Sequence, residues 1–240
     1  MKKISLCITH YNNLELCLEA FSWVLGDPRI GEVVINDDHS VQENYDLLAA
    51  KIRELPDRYK VKLFRNESNY GCYRNKAAAV SRAIFEYVII FDADNVIKRD
   101  YLDALYTVEW KPNVILQPDF AAPAFNFTPW AGMTIDKSNV AELFNTSNAV
   151  KGQFDCLLNV MNYFVHRDRY VETWVMRDDP YAADTILQNY NWFRNGGSMF
   201  VVPNMRYYHR IHPGSHFVAH EKLSRALHAE ISEKIKQGIW

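Results

Sequence analysis

What the chain lacks narrows its class first. Its four cysteines, Cys7, Cys17, Cys72 and Cys156, form no C-x-x-C pair. Cys7 falls in an apolar strand pattern and Cys17 in a helical one, which suits buried free thiols in a reducing compartment. No run approaches the ~20 apolar residues that a transmembrane helix requires. The opening Met1-Lys2-Lys3-Ile4 leads straight into a strand pattern without the apolar core of a signal peptide. A cytoplasmic location is therefore expected. Internal repeats, low-complexity segments and linkers are also missing, so the 240 residues are expected to form a single domain with a sizeable core. Net charge is nearly absent: 27 Lys and Arg against 29 Asp and Glu leave −2. That removes any global electrostatic case for nucleic acid or an anionic membrane surface, although it leaves room for a local basic cleft.

What is present is an alternation of strand and helix patterns. Ile4 to Thr9, Glu32 to Asn36, Lys60 to Arg65 and Tyr87 to Phe91 read as strands. Between them, Leu14 to Leu25, Asp46 to Leu55 and Arg74 to Phe85 read as helices. Strands alternating with helices of this length imply βαβ units, an α/β class and a mostly parallel sheet whose loops lie along one rim. From Lys111 to Trp130 the pattern breaks, because Pro112, Pro118, Pro123 and Pro129 punctuate an aromatic stretch that reads as irregular. Helix signals resume at Ser138 to Phe144 and Ala182 to Phe193, and Met199 to Val202 reads as a short strand. In the tail, Leu223, Leu227, Ile231, Ile235 and Ile239 recur every fourth residue, which predicts an amphipathic C-terminal helix with a mixed polar face.

The most telling residues are Phe91-Asp92-Ala93-Asp94, because they stand where a buried strand should end. Open α/β sheets bind ligands at that end of their strands. Two acids one residue apart can offer oxygen ligands to a hard divalent cation whose shell is completed by substrate phosphates. Their bland role would be capping the next element. The other strand ends carry Thr9-His10-Tyr11-Asn12, Asn36-Asp37-Asp38-His39-Ser40 and Asn69-Tyr70-Gly71-Cys72-Tyr73-Arg74-Asn75. Asp37 and Asp38 suit ribose hydroxyls and a base N–H, or else a turn and cap. Arg74 and Asn75, at a helix start, suit a base or phosphates. Trp130 can stack on a sugar face or pack in the core. Four of the eight histidines lie between Tyr207 and His220. Zinc on His212, His216 and His220 is disfavoured because Pro213-Gly214 interrupts any helix there.

In order and spacing, I-T-H-Y-N-N, V-V-I-N-D-D-H-S, N-x-G-x-x-R-N and F-D-A-D resemble a family 2 glycosyltransferase with a GT-A fold. The resemblance covers about the first hundred residues and resumes in Ala183-Asp184-Thr185-Ile186-Leu187 and Tyr208-His209-Arg210. It implies a nucleotide-binding half over 1–110, an acceptor-binding and catalytic half over 111–220, and the C-terminal helix over 221–240. It places the nucleotide against Thr9, Tyr11, Asp37, Asp38 and Arg74, with Asp92 at the ribose or behind a cation. Asp94 and His209 would hold Mn²⁺ or Mg²⁺ against the diphosphate of a nucleotide-sugar donor, UDP-linked by preference. The family's catalytic base sits in an acidic pair opening a late helix. Here the first acid is replaced by Ala183, so Asp184 is the expected base of an inverting transfer, with Asp178 and Asp179 as rivals. The competing functions are a nucleotidyltransferase and a non-catalytic nucleotide-sugar binding module. The loop after the first strand has neither Gly nor Lys nor Arg, which counts against the former. The acceptor hydroxyl is left open between a glycan, a protein, a lipid carrier and a hydroxymethylated DNA base, so nucleic acid enters only as an acceptor. Oligomeric state is left open.

Overall fold

The computed structural model describes residues 1–146, 153–177, 181–210 and 219–240. Its first part alternates β1 (Ile4–His10), α1 (Leu14–Phe21), β2 (Ile30–Asp37), α2 (Gln42–Glu54), β3 (Val61–Arg65), α3 (Gly71–Ser81) and β4 (Tyr87–Asp92). A short β5 (Val96–Ile97) and α4 (Arg99–Leu105) lead to β6 (Val114–Ala122), β7 (Phe125–Asn126) and β8 (Thr134–Ile135). Then come α5 (Val140–Thr146), α6 (Gln153–Asn159), β9 (Phe164–His166), α7 (Arg167–Thr173), α8 (Asp184–Arg194), β10 (Ser198–Tyr208) and α9 (Glu221–Lys236). The first four strands fall where the β-branched runs predict them. The helical run after β1 is shorter than its pattern: α1 stops at Phe21 and continues as a 3₁₀ turn over Ser22–Gly26.

The described residues form one mixed sheet with the strand order β3-β2-β1-β4-β9-β6-β10-β5. β1 pairs in parallel with β2 and β4, and β2 with β3. β9 runs antiparallel to both β4 and β6, so β6 recovers the direction of β4, and β10 follows β6 in parallel. The carboxyl ends of β1, β2, β3, β4, β6 and β10 therefore open on one edge. In β1, Ile4, Leu6, Cys7 and Ile8 are fully buried, as expected of a strand covered on both faces.

The stretch read as irregular is the main correction to the sequence reading. Val114–Ala122 is a nine-residue inner strand that contains Pro118. Proline cannot donate to a ladder, and Pro118 faces Val202, where the register of β10 slips before pairing resumes at Arg206 with Phe120. The slip is built around Asn204, whose φ is 63° and whose N–H donates to Asp119 Oδ2 at 2.8 Å. By absorbing the irregularity, β10 runs for 11 residues, well past Val202. It thereby carries Tyr208 to the carboxyl edge.

α9 buries Leu227, Ile231 and Ile235 and lies against α5 and α8, while Leu223 and Ile239 stay half-exposed. Among the described residues no helix is long and apolar enough to cross a membrane. The turn from α8 into β10 is tight: Trp192 is fully buried, and its Nε1 donates to the Ser198 carbonyl at 2.9 Å. A Cβ on Gly197 would stand 2.3 Å from that nitrogen, whereas one on Gly26 would meet nothing within 4 Å. Gly197→Ala should therefore lower the unfolding free energy by about 1–3 kcal/mol, the usual cost of overpacking. Gly26→Ala should stay within about 0.5 kcal/mol of the parent. Urea denaturation of the two variants checks the contrast, and equal effects would show that Trp192 can give way.

Candidate active site

The strand register sets the edge in order. Thr9 lies opposite Asn36 on one side and Asp92 on the other, His10 opposite Asp37, and Asp37 opposite Arg65. Of the paired acids after β2, Asp37 is 0% exposed and fully engaged. Its Oδ1 accepts from His10 Nδ1 at 2.8 Å and from the Ser40 hydroxyl, and its Oδ2 accepts from the Ser40 N–H at 3.1 Å. Burial alone would push the Asp37 carboxyl up, but the bonds from His10 and Ser40 outweigh it and hold it below the usual carboxylate range. Asp38, 3% exposed, accepts on Oδ1 from Asn66 Nδ2 and the Tyr70 N–H, both at 2.8 Å. There desolvation wins, and the carboxyl is raised despite those donors. Both acids, expected at a nucleotide, are buried and spend their oxygens on partners within the protein. The reason is the price of a dry carboxylate, which must find its donors inside the protein.

Beside Asp38 three amides interlock. Asn36 Nδ2 donates to Asn66 Oδ1 at 3.0 Å and to Asn75 Oδ1 at 2.5 Å, and Asn75 Nδ2 returns a bond to the Asn36 carbonyl at 3.2 Å. α3 begins at Gly71, whose φ of 77° suits glycine and lets its N–H reach Asn69 Oδ1 at 3.0 Å. Arg74 is exposed and lies over the Tyr70 ring, 3.8 Å from its centroid. Tyr11 is also exposed. These two, with half-buried Thr9, form the accessible part of the predicted nucleotide surface.

Asp92 is the last residue of β4, and its N–H donates to Asn162 Oδ1 at 2.9 Å. Its side chain keeps 31% exposure, and Oδ1 lies 3.2 Å from Lys76 Nζ. The same ammonium lies 2.8 Å from Oδ2 of Asp184, the first residue of α8, which is 5% exposed. Desolvation works against the Lys76 charge, but Asp184 and Asp92 prevail and its pKa is raised well above the usual lysine value. α8 is held in place by Asn159, whose Oδ1 accepts from the Ile186 N–H at 3.1 Å and whose Nδ2 donates to the Ala182 carbonyl at 3.1 Å.

The end of β10 is tied to the turn after β4. Tyr208 pairs with Val96, the Arg210 N–H donates to Asn95 Oδ1 at 3.0 Å, and Arg210 also reaches the Asp94 carbonyl at 3.4 Å and Glu19. His209 is held by its N–H on the Ala122 carbonyl at 2.7 Å and by the Phe125 ring edge, 5.0 Å away. Burial lowers its pKa, against the pull of nearby Asp92, and so favours the neutral imidazole, the form that binds metals. Its Nδ1 is buried without a hydrogen-bond partner among the described residues. The carboxylate of half-buried Asp94 and an imidazole nitrogen are donor types that Mn²⁺ or Mg²⁺ accepts. Among the described residues no three His, Cys, Asp or Glu side chains form a ready cage. A cation here would draw the rest of its shell from phosphate and water.

Trp130 belongs to the core instead of a sugar platform: it is 4% exposed and packs on Phe154 at 5.2 Å between centroids. The rival bases Asp178 and Asp179, and His212 and His216 of the zinc alternative, lie outside the described residues. Residue-by-residue reading missed His10, Asn66, Asn162 and above all Lys76. Lys76 had a signal: it interrupts the buried stripe of Tyr73, Ala77 and Val80 on α3. A lysine inside such a stripe implies a buried acidic partner.

The family model for glycosyl transferase family 2 matches residues 5–172. No match was found among the curated proteins. Among solved structures the chain is similar to S. aureus TarS 1-349 in complex with UDP-GlcNAc, with a TM-score of 0.69 and 17% identity over 99% of this chain and 71% of that one. The same TarS segment in complex with UDP gives a TM-score of 0.65 at 17% identity, over 99% of this chain and 70% of that one. For S. aureus TarS the TM-score is 0.64 at 17% identity, over 99% of this chain and 42% of that one. At such identity the likeness establishes a shared fold.

The engaged state of Asp37 sets a pH dependence. A carboxyl lowered on folding stabilises the protein above its unfolded pKa, ~3.9, and that stabilisation is lost as pH falls through the folded value. Asp37→Asn should cost about 1.5–3 kcal/mol at pH 7, the worth of hydrogen bonds to a charged group. The gap to the parent should narrow below about pH 4, where the parent's carboxylate is itself protonated. Urea midpoints measured from pH 7 to pH 3 would show this, and a constant gap would mean that Asp37 is not ionised in the fold.

Proposed function

The chain belongs to glycosyl transferase family 2, and on that premise we propose that it moves a sugar from a UDP-linked donor to a hydroxyl acceptor with inversion. Glycosyl transfer, as against nucleotidyl transfer or mere binding, follows from the family. The UDP preference is supported by the complexes of S. aureus TarS with UDP-GlcNAc and UDP. Thr9, Tyr11 and Arg74 supply the accessible nucleotide contacts. Asp37 and Asp38 hold the loops that present them.

The observation that carries the reading is that Asp184 and Asp92 meet on one ammonium at the carboxyl edge of the sheet. A proton acceptor from the second half of the chain thus stands beside the acid that ends β4. In the reaction the acceptor oxygen attacks the anomeric carbon, its proton passes to the Asp184 carboxylate, and the bond from that carbon to the diphosphate oxygen breaks with its electrons leaving on UDP. A divalent cation on Asp94 and His209 would supply positive charge opposite the departing diphosphate. Asp92 faces the donor while anchored to Lys76. The acceptor class is best found by mass spectrometry of candidate glycans, proteins, lipid carriers and hydroxymethylated DNA incubated with a panel of nucleotide sugars.

Two outcomes are expected. EDTA should abolish transfer and Mn²⁺ or Mg²⁺ should restore it, and Asp94→Ala should be folded but inactive; full activity in EDTA removes the cation from both Asp94 and His209. Asp184→Asn should cut turnover by about 10²–10⁴-fold, the usual contribution of a general base, while UDP affinity measured by calorimetry stays the same. Wild-type turnover in that variant would move the base elsewhere, with Asp178 and Asp179 next to be tested.

A further inference from the structure

Lys76, on α3, contacts both Asp92 at the end of β4 and Asp184 at the start of α8. Its side chain is 6% exposed, with Asp92 Oδ1 at 3.2 Å and Asp184 Oδ2 at 2.8 Å. The two Asp184 oxygens are therefore not equivalent. Oδ2 is bound to the ammonium, whereas the Oδ1 contact to the Thr185 hydroxyl is 3.5 Å long, at the outer limit of a hydrogen bond. We propose that Lys76 is a positioning residue for sugar transfer: by fixing Oδ2 and joining it to Asp92, it leaves Oδ1 as the oxygen that takes the acceptor's proton. The inference rests on the reading of Asp184 as the base.

The chemistry of the pair makes the proposal discriminating. Lys76 cannot help the base by charge, since an ammonium beside a carboxylate does not make it a better proton acceptor. Removing it would free the carboxylate to rotate and leave buried Asp184 without its ammonium, beside half-buried Asp92. Misplacement of a reacting group is the larger penalty, since near-attack geometry is worth orders of magnitude in rate. Through the step Lys76 keeps all three protons. When Asp184 takes up the acceptor's proton, the ammonium retains its partner in Asp92, so no bare charge is stranded. The phenols nearby, Tyr73, Tyr163 and Tyr170, are all raised by burial and stay neutral, so they neither share the proton nor replace the cation.

The test compares Lys76→Met, Lys76→Arg, Asp184→Asn and the double variant Lys76→Met with Asp184→Asn. Turnover is followed as UDP released from UDP-GlcNAc, or from whichever nucleotide sugar serves better, and UDP affinity is measured by calorimetry. Lys76→Met should lower kcat by about 10–100-fold, with donor KM and UDP affinity within about threefold of the parent. Lys76→Arg should recover part of the loss. The double variant should be no slower than Asp184→Asn, because a residue acting through the base has nothing left to position. An unchanged or faster Lys76→Met, or losses that multiply in the double variant, would overturn the proposal. Wild-type turnover in Asp184→Asn would instead overturn the base assignment. Should Lys76→Met fail to fold, Lys76→Arg alone and combined with Asp184→Asn makes the same comparison.

Discussion

Taking a carboxylate out of water costs several kcal/mol unless the protein returns what the water supplied. This chain does so repeatedly along one edge of a single sheet, with Asp37, Asp38 and Asp184. Much of the local architecture answers that demand, and it does so with three different chemistries. Asp37 takes an imidazole, a hydroxyl and a backbone N–H. Asp38 takes an amide and a backbone N–H. Asp184 takes an ammonium. Each solution pins a different pair of elements: β1 to β2, the loop after β2 to the start of α3, and α3 to α8.

The division between dry and wet acids is then functional. Asp37 and Asp38, with every partner close at hand, belong to a rigid frame; Asp92 and Asp94 keep some exposure, and Asp184, held on one oxygen by Lys76, stands between the two groups. A frame of this kind suits transfer chemistry, in which reacting groups must be held to within fractions of an ångström. The same holds for the proposed nucleotide surface, where exposed Arg74 and Tyr11 stand beside interlocked asparagines.

The parts of the fold legible in the sequence are those where local pattern and tertiary outcome agree. β1 to β4 are apolar runs ending in polar residues, and Asp92 and Asp94 at the end of β4 stood out for that reason. β6 was hidden because Pro118 reads as a breaker, and only the register slip of its neighbour at Asn204 makes the proline harmless. That accommodation comes from a strand more than eighty positions away, as the Asn204 to Asp119 bond shows, and no local window contains it. Asp37 was legible as an important acid but not as a buried one, since its partner His10 comes from another strand. Trp130 was ambiguous between stacking and packing, and only the position of Phe154 decides it. Lys76 sits next to residues that drew attention, yet its meaning depends on Asp184, and a lysine in a helix ordinarily reads as surface.

The separation of that last pair also bears on how the protein folds. Asp37 finds its partners 3 and 27 positions away and Asp38 finds Asn66 at 28, whereas Lys76 and Asp184 are separated by 108. Loop closure over such a span must be met before the contact gives anything back. Until α8 arrives, α3 cannot seat fully, because doing so would dry the Lys76 ammonium with only Asp92 beside it. The partners of Asp37 and Asp38 can thus be joined over short spans, while the Lys76–Asp184 pair, like the Arg210 bonds to Asn95 and to the Asp94 carbonyl, must wait for the second half of the chain. A chain that turns over substrate has therefore finished folding, and its activity reports the integrity of the whole domain in a way that nucleotide binding does not.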